Sequence, residues 1–175
     1  MEPKVFEHEL NLGTLRGTLR GGITDVTVNE LAVGGTTSQI IRNDHDWQIT
    51  INWELVGTML DSPFFTIPGN WILKAYLEGW GGSAEEKDLH GDVIGGIPVM
   101  TAKNVVPAGS IGVGDPLETE WHYTETFTIK SAGNPSPGMY RLAVAITYED
   151  EKHNPGPIAG FIEVSDMVQI YKPKP

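Results

Sequence analysis

The chain contains no cysteine. A disulfide framework and thiolate chemistry are therefore both excluded, and with them the small stapled extracellular scaffold. Basic residues are scarce as well: 12 Lys and Arg stand against 23 Asp and Glu, for a net charge of −11. A phosphate backbone or an anionic membrane surface would be repelled from most directions of approach, so nucleic acid is not an expected partner. Long apolar runs are missing too. The longest, from Val93 to Met100, is broken by two glycines and a proline, far short of the roughly 20 residues that span a bilayer. Met1 to Leu10 (MEPKVFEHEL) has neither a basic n-region nor an apolar h-region. A cytoplasmic location is the expectation, with signal-independent export or incorporation into an assembly left open. Helical periodicity is also lacking, which removes the crossover helices that a doubly wound α/β fold needs.

What the sequence does contain is apolar material at 39%, enough for one core in 175 residues, arranged with a period of two. In Trp47-Gln48-Ile49-Thr50-Ile51-Asn52-Trp53-Glu54-Leu55 every odd position is apolar and every even one polar, the signature of a half-buried strand. Trp71, Leu73, Ala75 and Leu77 form a second odd row, although Ile72, Tyr76 and Trp80 make its other face less polar and predict a partly covered second face. Trp121, Tyr123, Phe127 and Ile129 alternate with threonines of high strand propensity. Glu125 interrupts that inner row and predicts an edge or a bulge. Tyr140, Leu142, Val144, Ile146 and Tyr148 predict a central strand after the turn Asn134-Pro135-Ser136-Pro137-Gly138. A last strand spans Ile158 to Tyr171, with an interruption expected at Ser165-Asp166.

Ile23 to Val33 is strand-like but changes phase at Asn29-Glu30, which requires a bulge or a crossing between sheets. Between Gly79 and Pro116 only short strands are expected, near Lys87 to Val93 and Val99 to Val105. Gly13-Thr14-Leu15-Arg16 repeats as Gly17-Thr18-Leu19-Arg20, within a stretch read as an extended N-terminal arm or first edge strand (residues 1–22). Residues 23–171 are then a single β-sandwich domain, and 172–175 a frayed, proline-containing tail.

Seven or so strands without helices predict an all-β, two-sheet antiparallel sandwich with Greek-key connections. At Pro137-Gly138-Met139-Tyr140-Arg141-Leu142-Ala143-Val144 the chain resembles the immunoglobulin-like superfold. The resemblance implies that a turn leads into the penultimate strand and that Tyr140 ties down the corner, with Trp53 or Trp71 as the buried tryptophan. It implies a fold and no function. In strand order, one end of such a sandwich gathers Asn43 to Asp46, Glu85, Glu86, His90 and the Pro135 turn; the other gathers Gly57 to Gly69, Asp115 and Glu149 to Pro155.

Two groups of residues are candidates for function. Asp44, His45 and Asp46, together with Glu85, offer the oxygen ligands that calcium takes from clustered carboxylates, without the D-x-D-x-D-G spacing that makes such a site specific. The competing reading is a solvated turn. The loop from Thr58 to Pro68 is unusually apolar, with Met59, Leu60, Phe64, Phe65 and Ile67. It either plugs the end of the sandwich, which needs no second molecule, or meets a partner. Trp80, between glycines, poses the same choice. The expected role is thus a non-catalytic module that binds a protein partner or self-associates. The alternative is a carbohydrate-binding module that stacks sugar on Trp80, Trp71 or Tyr76. A hydrolase would need several of the 23 acids and the histidines to converge, and no catalytic motif selects them.

Overall fold

The computed structural model describes residues 5–12, 15–31, 38–57, 70–80, 87–88, 93–94, 101–107, 117–149 and 152–174. The chain is all-β, in two sheets. The first sheet has the order β1 (Val5–Leu12), β2 (Leu15–Glu30), β4 (Trp47–Gly57), β9 (Leu117–Ile129), β8 (Thr101–Pro107). The second has the order β3 (Ile40–Arg42), β11 (Pro155–Tyr171), β10 (Gly138–Glu149), β5 (Asn70–Trp80), β6 (Lys87–Asp88), with β7 (Val93–Ile94) also paired to β5. Among the described residues no helix is long and apolar enough to cross a membrane.

The odd rows foreseen for β4 and β5 face inward: Trp47, Ile49, Ile51, Trp53 and Leu55 are at most 1% exposed, and Trp71, Leu73, Ala75 and Leu77 at most 2%. β10 is the central strand expected, paired with β5 on one side and β11 on the other. Glu125 lies where β9 has passed the end of β8 and, among the described residues, has no strand on that side, so a carboxylate facing Ile51 is tolerated there. Ser165-Asp166 falls inside a bulge: Arg141 pairs with Met167 but Ala143 with Glu163, so two extra residues are absorbed and the even inward row resumes in phase.

Two expectations are corrected. The second sheet is not wholly antiparallel, because β3 pairs in parallel with the last residues of β11. The chain leaves the first sheet at the end of β2 and crosses to the second before returning to β4. The change of phase expected at Asn29-Glu30 lies upstream instead: Val26, Val28 and Glu30 all face inward and Leu31 is exposed, and the slip is a bulge at Thr24 between the Ile23 and Asp25 pairings. Backbone bonds from Gln169 N to Gln39 O (2.7 Å) and from Asn43 N to Tyr171 O (2.9 Å) hold the parallel segment in place. Where short strands were expected, near Lys87 to Val93 and Val99 to Val105, β6 and β7 join β5 while β8 joins β9.

The stretch containing the tandem repeat forms a hairpin in which Leu12 pairs with Leu15, and β2 runs on without a break into its pairing with β4 from Leu19 onward. Gly21 is required there. A Cβ at this position would fall on the backbone carbonyl of Glu54 in β4, so a side chain has no room unless the strands separate. Gly21→Ala is expected to cost about 1–3 kcal/mol, read as a lower midpoint in urea unfolding. An unchanged midpoint would mean that β2 and β4 approach less closely here.

Candidate functional site

Three surfaces carry the chemistry: the two ends of the sandwich and the outer face of the second sheet. At the first end, Asn43 to Asp46 meets the β9–β10 connection, as the loop sorting anticipated. Asn134 is the hub. Its Oδ1 accepts from Trp47 Nε1 at 2.7 Å, while its Nδ2 donates to the carbonyls of Asn43 and His45, both at 3.0 Å. Asp46 accepts from Lys130 Nζ and from the Ser131 backbone N–H, each at 2.8 Å. Asp44 receives a two-pronged bond from Arg42 at 3.0 and 2.9 Å. His45 Nδ1 lies 2.7 Å from Oε1 of Glu30, which is 5% exposed and also accepts from the Arg42 backbone N–H.

The carboxylates proposed as calcium ligands are thus engaged with cations and backbone donors of the chain itself. Glu85 lies outside the described residues. Among the described residues no group of three or more His, Cys, Asp and Glu side chains is placed to hold a metal ion. The hydrogen bond from Arg42 holds the Asp44 carboxyl below the usual carboxylate range, and those from Lys130 and Ser131 do the same for Asp46. A depressed pKa contributes stability that is present above the unfolded value and lost as pH falls through the folded one. Asp46→Asn should therefore flatten the acid limb of the stability profile below about pH 4, measured as urea midpoints against pH. An acid limb identical to that of the wild type would show that the carboxylate is not linked to folding.

Glu30 is a residue that sequence reasoning missed. Its signal was the even row Val26, Val28, Glu30 continuing inward. Asn134 carried no comparable signal, because its partners come from a loop about ninety positions away.

Toward the other end, each sheet contributes one cross-strand aromatic pair to the core. Trp53 of β4 is opposite Tyr123 of β9, stacked at 5.1 Å and 7°. Trp71 of β5 is opposite Tyr148 of β10, edge-on at 5.5 Å. The pairs interlock, with Trp71 edge-on to Trp53 at 5.8 Å and to Tyr123 at 5.3 Å. Burial pushes the Tyr123 phenol well above its ordinary pKa, against a hydrogen bond from Trp71 that pulls it down. Nearby, Glu149 Oε1 accepts from Asn70 Nδ2 at 3.0 Å and lies 2.6 Å from His153 Nδ1. The apolar loop with Met59, Leu60, Phe64, Phe65 and Ile67 lies outside the described residues, so its role as plug or contact is an expectation only.

The outer faces of the two sheets differ. On the first sheet, cross-strand polar pairs satisfy one another: Gln48 with Thr128, Thr50 with Thr126, and Asn52 with Thr124. On the second, the even positions of β5 and the odd positions of β10 carry Trp80, 63% exposed, and Met139, 37% exposed, and β11 adds Phe161 at 38%. Arg141 stands over the Trp80 ring at 5.1 Å and pairs with Glu163 at 3.5 Å. Trp80 therefore does not cover the core. Trp71, by contrast, is 2% exposed inside it and presents nothing to a sugar.

Among the described residues three histidines contact carboxylates, His45 with Glu30 and Asp44, His122 with Glu54 and His153 with Glu149, and they sit at one end, on the outer face of the first sheet and near the other end. They do not converge on one another. Compared with protein-family models, with curated proteins and with solved structures, the chain matches none of them.

Proposed function

We propose that the chain is an immunoglobulin-like sandwich that serves as a non-catalytic protein-binding or assembly module, and that it binds through the outer face of the second sheet. The immunoglobulin-like reading is supported by the order β2-β4-β9-β8 opposite β11-β10-β5, with each of the connections β4 to β5 and β9 to β10 passing between sheets. It is supported also by Tyr140, whose hydroxyl donates to the Ser136 carbonyl at 2.6 Å and ties down the turn before β10.

The observation that carries the functional reading is the exposed pair Trp80 and Met139, opposite each other on the outer face of the second sheet, with Phe161 further along the same face level with Ala145. They are three of the five exposed large hydrophobic residues among those described, and apolar groups gathered on one face mark an interaction surface where scattered ones do not. The test is a photo-cross-linking phenylalanine analogue placed at Tyr76, the centre of this face, and in parallel at Thr126 on the opposite outer face. Protein adducts are expected from position 76, suppressed by Trp80→Asp, and not from position 126. Adducts from position 126 alone, or from neither, would overturn the proposal.

The exposure of Trp80 also supports the carbohydrate reading, in which this indole is a stacking platform. Quenching of tryptophan fluorescence by soluble oligosaccharides, abolished in Trp80→Ala, is its expected result, and no change in emission with any oligosaccharide would exclude it.

A further inference from the structure

We propose that the partner taken by this face is a second copy of the same chain, joined across a two-fold axis that passes over Tyr76 and runs perpendicular to the strands. The inference rests on the preceding assignment of the contact to the outer face of the second sheet. The outward row of β5 reads Ile72, Lys74, Tyr76, Glu78, Trp80. Around Tyr76 this row is symmetric in character and opposite in charge: apolar residues at both ends, and Lys and Glu at equal distances on either side. Turned end for end upon itself, the row places Lys74 opposite Glu78 twice and Ile72 opposite Trp80 twice. Two-fold dimers require such self-complementarity, because the same patch must serve both subunits.

Other arrangements of two copies lack this match. Two rows stacked in the same direction would bring Lys74 onto Lys74 and Glu78 onto Glu78. A two-fold axis parallel to the strands would bring β5 onto β11, where Lys74 and Glu78 meet Phe161 and Met167 instead of each other.

Three features of this face favour a second copy as the occupant. First, Lys74 and Glu78 are both exposed, and Arg141, opposite Glu78 on the same face, is engaged with Glu163. Second, β5 and β10 keep an unbroken register from Asn70–Glu149 to Trp80–Met139, so the row is regular along its whole length. Third, the residues of β10 level with the middle of the row are small: Ala143, itself already buried, is opposite Tyr76, and the half-buried Ala145 is opposite Lys74. Small residues at the centre let two faces approach to the ~10 Å of packed sheets. Glu163, level with Tyr76 through Ala143, would meet its own copy, and Arg141 beside it supplies the compensating charge.

The experiment is sedimentation of the purified full chain. The wild type is expected to be a dimer, and Lys74→Glu and Glu78→Lys alone are each expected to weaken association at least about tenfold, since each reversal converts two attractive pairs into two repulsive ones. The double exchange Lys74→Glu/Glu78→Lys should restore the dimer. Mixing the two single variants should give a heterodimer, because one then presents two acids and the other two bases. Circular dichroism checks that these exposed substitutions leave the fold intact, and the heterodimer assay supplies a gain of association that misfolding cannot imitate. A monomeric wild type, or single reversals that leave the dimer undisturbed, would overturn the inference. If the purified chain is monomeric while the analogue at position 76 traps a different protein in a Trp80-dependent way, the second copy is the wrong occupant and the contact face is the right one. If neither association occurs, both readings fall.

Discussion

Trp71→Ala is expected to lower stability by about 3–5 kcal/mol, the cost of a large aromatic deleted from a closed core, and to shift the thermal midpoint by about 10 °C or more in a chain of this size. Trp71 is the one ring in contact with all three others of the cluster, touching Trp53 and Tyr123 across the sandwich and Tyr148 beside it. Its loss empties the junction between the sheets and also frees a buried phenol, since Trp71 donates to Tyr123. Against a total stability of about 5–15 kcal/mol, the variant should be partly unfolded at physiological temperature.

A paired measurement separates packing from hydrogen bonding. Trp53→Phe and Trp71→Phe remove the same atoms, but Trp53 Nε1 is buried without an acceptor among the described residues, whereas Trp71 has one. Trp71→Phe should therefore be the costlier by about 1 kcal/mol. Equal costs by urea unfolding would show that the Trp71–Tyr123 bond contributes nothing net.

The second large effect is expected at the opposite end. Asn134→Leu, close in volume but without the amide, should cost about 3 kcal/mol, because it leaves the indole N–H of the fully buried Trp47 without its acceptor and the carbonyls of Asn43 and His45 without a donor. The damage should be local in character. Amide hydrogen exchange is expected to rise in residues 43–46 and 130–134, which Asn134 joins, before it rises in β10. Asn134→Asp retains the acceptor for Trp47 but sets a second oxygen against the carbonyls of Asn43 and His45, so near neutral pH it should cost about as much as the leucine variant. An aspartate variant as stable as the wild type would show that the bonds to these carbonyls contribute little.

The same contrast between the two ends explains how much was legible in advance. Strand parity is a local property. Because successive side chains point to opposite faces, the odd rows of β4 and β5 and the even rows of β10 and β11 could be read from neighbouring positions alone. So could the edge character at Glu125 and the interruption at Ser165-Asp166, since a charge in an inner row and a polar pair in an apolar one are each visible within a few residues. The tyrosine at the start of β10 and its turn fall within a single short stretch, from Ser136 to Tyr140.

The candidate site was less legible. Asp44, His45 and Asp46 were recognisable as a polar cluster, yet whether such acids hold a cation or a neighbouring Lys and Arg depends on what the fold brings beside them. Lys130, Ser131 and Asn134 come from far along the chain. Trp80 looked alike as a core cover or an exposed platform until the register with Met139 set it on the outer face.

The all-β, two-sheet architecture was determined by the sequence itself, through the period of two, the turn residues and the missing helical repeat. The tertiary structure alone decided that β3 crosses to pair in parallel with β11, that β6 and β7 part company with β8, and that Glu30 is buried against His45. Each of these depends on a pairing between residues distant in sequence, and hydrogen-bond partners across such distances leave no local pattern. The face proposed for self-association combines both kinds of information. The charge-inverted row from Ile72 to Trp80 is written in consecutive residues, but only the packing of Trp71, Leu73, Ala75 and Leu77 into the core turns that row outward.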